Sequence, residues 1–133
     1  MTTSEKIRAR IQQAGASYFA NHNISEYIEA GELEALTAEV ACEFEGVLRS
    51  LVIDTQNDHN TQDTANRVAK MFLQEIFSGR YLSAPKITSF PNVTEYDQLY
   101  VTGPITIRSM CAHHMMPISG RAYVGVFPGR NVI

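Results

Sequence analysis

The hydrophobic pattern of this 133-residue chain changes its period near residue 80. Before that point, apolar residues recur every three or four positions, which is the period of one face of an α-helix. After it, short runs rich in β-branched residues follow glycine and proline, which is typical of strands. We therefore predict an α+β protein with a single domain over residues 1–133. Its helical part covers about residues 1–80, and its β part covers about residues 96–133.

Two helices are predicted at the start of the chain. Thr2 and Glu5 have the spacing of a capping box, and the apolar residues after them predict a helix that runs to about Ala20. The second helix has the clearest pattern, since six apolar residues spaced three or four apart lie between Leu33 and Leu51. Its five glutamates lie off that apolar stripe and are predicted to face water.

A third helix is predicted after a polar linker. Residues 54–62 contain no apolar side chain, so we predict a mobile loop there. Asp63 and Thr64 can then cap a helix, and Gly79 can end it in the left-handed conformation.

Two strands are predicted in the β part. Residues 99–107 predict one strand, interrupted at Gly103-Pro104 by a bulge or bend, and residues 121–127 predict another. Two strands make a poor sheet, because an isolated hairpin is marginal in water and leaves two open edges. We therefore expect that other subunits complete the sheet and that the chain is the front portion of a longer domain.

Charge and composition exclude several classes of protein. The net charge is −3 and no run of lysine or arginine occurs, which argues against a nucleic-acid partner. No apolar run is long enough to cross a bilayer, and the first residues lack the apolar segment of a signal peptide. Two cysteines are too few for a disulfide framework. These features predict a cytoplasmic protein with no membrane association.

Cys111, His113 and His114 concentrate a thiol and two imidazoles between the predicted strands. Zinc binds cysteine sulfur and histidine nitrogen, so Cys111 and His114 are candidate ligands. His113 would then be free for proton transfer, because an imidazole exchanges protons near neutral pH. A lone Cys-x-x-His spacing is a weak signal, and two histidines beside a strand are equally compatible with a polar turn. Spacing alone leaves both interpretations open.

Several segments resemble the GTP cyclohydrolase I family at consistent spacings. The similarity extends from about Leu33 to the last residue, and the short N-terminal helix adds little to it. The segments are residues 63–79, residues 85–88, Tyr96-Asp97, residues 109–114, Pro117, Gly120 and Val132-Ile133.

The resemblance implies a fold, a reaction and a set of roles. The implied fold is a tunnelling fold whose sheets close into a barrel across subunits, in a ring-shaped homodecamer. The implied reaction is the zinc-dependent hydrolytic opening of the guanine imidazole ring of GTP, which yields formate and dihydroneopterin triphosphate. Cys111 and His114 resemble zinc ligands of the family, and His113 resembles its proton-transferring histidine. Arg67 resembles an arginine that faces the substrate triphosphate, often across a subunit boundary, and guanidinium geometry suits phosphate.

The chain departs from the family pattern in three places. Ala112 replaces a glutamate beside the candidate ligands, and Ala65 replaces a proline at the start of the third helix. The chain also stops where the family continues into the segment that supplies its third zinc ligand, a cysteine. Two alternatives therefore stay open: a catalytically silent oligomeric module, and another tunnelling-fold enzyme acting on pterin or deazaguanine substrates.

Overall fold

The computed structural model describes residues 1–133, which form two compact units, residues 1–83 and 84–133. The first, here the helical unit, contains helices only, and the second, here the β unit, contains strands only, which confirms the α+β class. No helix combines the length and the apolar character needed to cross a membrane. The helical unit contains α1 (Thr3–Gln13), a 3₁₀ turn (Ser25–Tyr27), α2 (Glu32–Ser50), α3 (Thr64–Lys70), a π-helical segment (Met71–Ile76) and α4 (Ser78–Tyr81). The β unit contains β1 (Phe90–Pro91), β2 (Tyr100–Met110), β3 (Pro117–Val126) and β4 (Asn131–Val132).

Helix α1 has the predicted start but ends earlier than predicted. Thr2 and Glu5 form the capping box, each side chain accepting a hydrogen bond from the other residue's backbone N–H. The predicted end near Ala20 is wrong, because Gly15 adopts a left-handed φ of 66°. The N–H of Ala16 donates to the carbonyl of Ile11 at 3.1 Å, which closes the helix in a Schellman arrangement.

Helix α2 confirms the predicted helix, but the predicted apolar stripe is wrong at its end, where Val47 and Leu51 are exposed. Three of its glutamates also do not simply face water. Glu32 accepts a hydrogen bond from Arg10 of α1, Glu39 accepts one from the Ser4 hydroxyl, and Glu45 accepts one from the Thr55 hydroxyl. All three glutamates are half-buried. The carboxylates facing α1 and the loop after α2 therefore link α2 to its neighbours.

The third helical region is longer and less regular than predicted. Asp63 makes no capping hydrogen bond through its side chain, and the α-helix gives way to the π-helical segment, where the N–H of Phe77 donates to the carbonyl of Phe72. Gly79 lies inside α4 and has no positive φ, so the predicted left-handed glycine at this helix end is wrong.

The hydrophobic core lies in the helical unit. Leu73 of the π-helical segment packs with residues of α1, α2 and the 3₁₀ region, and it is 2 % exposed. Burying side chains of this size contributes roughly 1.5–3 kcal/mol each. The core cluster consists of Ile7, Ile11, Ile24, Leu36 and Leu73.

One arginine links the two ends of the helical unit. Arg80 of α4 donates from its guanidinium to the carbonyls of Tyr18, Phe19 and His22 at 2.7–3.1 Å, and to that of Ala20 at 3.3 Å. The backbone N–H of Ile24 in turn donates to the Arg80 carbonyl at 2.8 Å. These bonds fix the irregular connection that follows α1.

The β unit is an antiparallel hairpin, β2–β3, with a separate two-stranded pairing of β1 with β4. The hairpin register runs from Tyr100 opposite Val126 to Met110 opposite Pro117, and it shifts between Thr102 and Ile105. That shift confirms the predicted irregularity at Gly103-Pro104. No residue of this unit is fully buried.

Candidate metal centre

The predicted ligand residues all lie in the loop that joins β2 to β3. The loop closes on itself through two backbone bonds, from the N–H of Cys111 to the carbonyl of Met116 and from the N–H of Met115 to the carbonyl of Cys111, both 2.9 Å long. Met115 adopts a φ of 55°, which turns the chain back into β3. Cys111 therefore leads directly out of a strand, and the two histidines occupy the turn.

The thiol of Cys111 contacts the imidazole of His113. Its Sγ is 3.6 Å from Nδ1 of His113, and the rings of His113 and His114 have centroids 6.5 Å apart with planes inclined at 31°. Cys111 is half-buried, and both histidines are exposed. The structure thus brings Cys111 and His113 into contact, whereas the sequence interpretation paired Cys111 with His114.

The donor types suit zinc, but three of them do not converge in this structure. Two ligands bound at ~2.3 Å and ~2.0 Å to a tetrahedral zinc lie roughly 3.5 Å apart, close to the Cys111–His113 separation. No group of three or more histidine, cysteine, aspartate or glutamate side chains is arranged to hold a metal ion. Ala112, in the same turn, contributes no polar side chain. The arrangement brings two donor atoms together, Sγ of Cys111 and Nδ1 of His113, whereas a catalytic zinc takes three protein ligands.

Arg67 lies in the helical unit, on α3, and its side chain is exposed. Its Nη2 donates to the Asn60 carbonyl at 2.9 Å and to the Thr64 hydroxyl at 3.0 Å. Its Nη1 lies 3.9 Å from the Asp63 carboxylate. The Arg67 guanidinium is therefore held on one side by the loop before α3 and by the start of α3.

Sequence reasoning missed the two groups that hold Arg67. The Thr64 hydroxyl lies three residues before Arg67, which is a spacing that places two helical side chains on the same face. That spacing indicates the contact, which a capping role for Thr64 does not by itself predict. The Asn60 contact comes from a backbone carbonyl, and no residue type encodes it.

The comparisons with known proteins agree with one another. A sequence model described as GTP cyclohydrolase I matches residues 40–133. A protein of Flavobacterium johnsoniae named GTP cyclohydrolase 1 is 41% identical over 90 residues, which are 67% of this chain and 40% of the relative. Proteins of the same name from Actinobacillus pleuropneumoniae and Edwardsiella ictaluri are each 37% identical over 97 residues, 72% of this chain and 44% of the relative. The chain thus spans about two fifths of the length of the curated relatives it matches.

Proposed function

Since the chain belongs to the GTP cyclohydrolase I family, we propose that it contributes to the zinc-dependent hydrolytic opening of the guanine imidazole ring of GTP. The products of that reaction are formate and dihydroneopterin triphosphate. The observation that carries the proposal is the grouping of a thiol and two imidazoles in one hairpin loop, within the segment that the family model matches.

In this proposal, the hairpin loop divides its side chains between metal binding and proton transfer. Cys111 and His114 would hold the zinc ion, which supplies Lewis acidity that makes water a better nucleophile near neutral pH. His113 would give a proton to the imidazole ring of guanine, because protonation makes the C8 carbon more electrophilic. Water then adds at C8 and one C8–N bond breaks, which opens the ring to a formamide. A second water cleaves the other C8–N bond and releases C8 as formate. The ribose carbons then rearrange and condense with the freed amine, with loss of one water, to give dihydroneopterin triphosphate. The contact between Cys111 and His113 would keep the proton donor beside the metal.

Arg67 is the proposed triphosphate-binding residue of this chain. A guanidinium donates paired hydrogen bonds to phosphate oxygens in a plane, which makes arginine well suited to a polyphosphate. Its side chain is exposed and therefore accessible to a ligand. The family's assembly, a ring-shaped homo-oligomer with sheets closed across subunits, is proposed for this protein as well. Closure would pair the open edges of the β2–β3 hairpin.

The deciding experiment is incubation with GTP and zinc, followed by oxidation and measurement of pterin fluorescence. It is run on this chain and on a version extended at its C-terminus with the corresponding segment of a relative. We expect fluorescence from the extended version. A folded, zinc-loaded extended protein that produces no pterin would refute the proposed activity.

Metal analysis of variants assigns the individual roles. Cys111→Ser and His114→Ala should lower the bound zinc at least tenfold, because each removes a ligand. His113→Ala should keep the zinc and lose the pterin product. The reverse pattern, in which His113→Ala loses the metal and His114→Ala keeps it, would exchange the two histidine roles, as the 3.6 Å contact between Cys111 and His113 also allows.

The alternative is a catalytically silent oligomeric module. It is favoured by one observation, that no three side chains of this chain are arranged to hold a metal ion. The two functions differ in metal content, since a silent module should purify without stoichiometric zinc even when it is extended and assembled. Stoichiometric zinc in the extended protein would reject this alternative.

A further inference from the structure

The polar stretch of residues 54–62, within the connection between α2 and α3, is a structured element although it contains no apolar side chain. The Asp54 carboxylate accepts hydrogen bonds from the backbone N–H groups of Gln56 and Asn57 at 2.9 and 3.0 Å. The Thr61 hydroxyl donates to the Asp54 carbonyl at 2.6 Å, which closes the loop across seven residues. Thr55, nearly fully buried, anchors the loop to α2 through Glu45.

The far end of this loop carries the carbonyl that binds Arg67. The Asp58 carboxylate accepts hydrogen bonds from both the backbone N–H and the side-chain amide of Asn60, each at 2.9 Å. These two bonds fix the Asn60 peptide, whose carbonyl accepts from Nη2 of Arg67. The Thr64 hydroxyl accepts from the same nitrogen at 3.0 Å. Both hydrogens of Nη2 are therefore engaged by the protein.

We infer that the Thr64 hydroxyl and the Asn60 carbonyl are positioning groups that orient the Arg67 guanidinium toward a polyphosphate ligand. The inference rests on the proposed role of Arg67 in binding the triphosphate. Of the five N–H donors of a guanidinium, the two on Nη2 are used internally, which leaves Nε and Nη1 for phosphate oxygens. Asp63 lies 3.9 Å from Nη1, beyond hydrogen-bond distance, so a polyphosphate can compete for that nitrogen.

A double-mutant cycle tests the inference, with inorganic tripolyphosphate as the probe and calorimetry as the readout. The four proteins are the unaltered chain, Thr64→Val, Arg67→Gln and the double variant. Arg67→Gln should weaken binding about tenfold or more, because it removes charge-assisted bonds. Thr64→Val should weaken binding about three- to tenfold, since it removes one hydrogen bond that orients the guanidinium. Thr64→Ser keeps the hydroxyl and should bind as the unaltered chain does.

The double variant separates positioning from a general structural role. If Thr64 acts through Arg67, Thr64→Val has no further effect in the Arg67→Gln background. An equal loss in both backgrounds, or no loss in the presence of Arg67, would overturn the positioning role alone. A tripolyphosphate affinity that Arg67→Gln leaves unchanged would overturn the proposed role of Arg67 as well.

A second variant changes Asp58, which holds Asn60 and so affects Arg67 indirectly. Asp58→Ala removes the acceptor that fixes the Asn60 peptide, and it should weaken tripolyphosphate binding about two- to fivefold. The matched control is Gln56→Ala, an exposed residue of the same loop that hydrogen-bonds through its backbone and not through its side chain. Nitrogen NMR of the Arg67 side chain gives a readout that needs no ligand: rotation of the guanidinium should be slow in the unaltered chain and fast in Thr64→Val. Fast rotation in both would overturn the inference.

Discussion

The two units of this chain are stabilised in different ways. The helical unit buries a compact set of aliphatic side chains, with Ile11 1% exposed, whereas Ile107 on β2 is 40% exposed although it lies in the middle of a long strand. The helical unit is held by burial, and the β2–β3 hairpin is held by its backbone ladder. A long ladder therefore does not imply a core. The candidate metal residues lie in the less buried unit, where a bound ion or a neighbouring chain has the most to contribute.

The largest expected effect tests this contrast with one pair of matched substitutions. Ile11→Ala should lower the free energy of unfolding by about 2–5 kcal/mol, because it leaves a cavity in a packed core. Ile107→Ala, the same chemical change on the hairpin, should cost less than about 1 kcal/mol. Urea unfolding followed by circular dichroism measures both. Equal losses would show that the hairpin has a core of its own.

A somewhat smaller loss is expected from Arg80→Lys in the helical unit. An ammonium group cannot reach all the carbonyls that the guanidinium binds, so unfolding should become easier by about 1.5–3 kcal/mol. Arg49→Lys, on the exposed C-terminal turn of α2, is the matched control and should be neutral. A thermal unfolding comparison decides the outcome. If the two variants melt together, the carbonyl contacts of Arg80 are not stabilising.

The stability of the β unit should depend more on its backbone conformation than on the burial of its side chains. Gly103 has a φ of 149°, and an added Cβ would lie 2.6 Å from Cδ1 of Tyr123 and 3.0 Å from the Ala122 carbonyl. Gly103→Ala should therefore destabilise the hairpin by about 1–2 kcal/mol, measured as faster hydrogen exchange of β2 and β3 amides. Gly120→Ala meets no neighbouring atom and should leave exchange unchanged. Faster exchange in Gly120→Ala as well would locate the sensitivity elsewhere.

The smallest expected effect is the acid sensitivity of the helical unit. The backbone N–H of Glu29, with help from Arg10, holds the pKa of Glu32 below its ordinary value. Burial opposes ionisation of Glu39, but hydrogen bonds from Ser4, Thr2 and Thr3 together outweigh it and lower the pKa of that carboxyl.

A carboxyl with a lowered pKa in the folded state stabilises that state above the unfolded pKa, and the contribution is lost as pH falls. The helical unit should therefore lose stability as pH falls below about 4.5, and Glu39→Gln should reduce that dependence. Glu34→Gln, on the exposed face of α2, is the control. The free energy of unfolding, measured from pH 6 to pH 3, checks whether stability falls on acidification. A helical unit that gains stability on acidification would contradict it.

Features of the fold that follow a repeated residue pattern could be predicted from sequence. Features that depend on one residue or on one packing partner could not. The repeated spacing along α2 and the Gly103-Pro104 interruption of β2 are encoded in residue types, and both are present. The end of α1 depends on one glycine, while the apolar spacing continues to Tyr18, so periodicity extended the helix too far. Leu48 is buried while Val47 is exposed, because the position of the packing partner selects between adjacent apolar residues.

The candidate metal residues could be located from sequence but not oriented. Residue types placed Cys111 and the histidines between two strands, and the structure puts them in the hairpin loop. Which histidine contacts the thiol depends on the turn conformation, including the positive φ of Met115, and chain spacing does not encode that angle. The hydrogen bonds that hold residues 54–62 could not be predicted, since bonds between polar groups leave no periodic signature.

The Arg80 guanidinium sits where four carbonyl lone pairs converge, an arrangement that in other molecules is completed by a captured sodium or potassium ion. Here the positive charge is covalently tethered to the polypeptide. The connection after α1 is thus preassembled around an internal counter-ion, and its order should not depend on which salt the surrounding buffer contains.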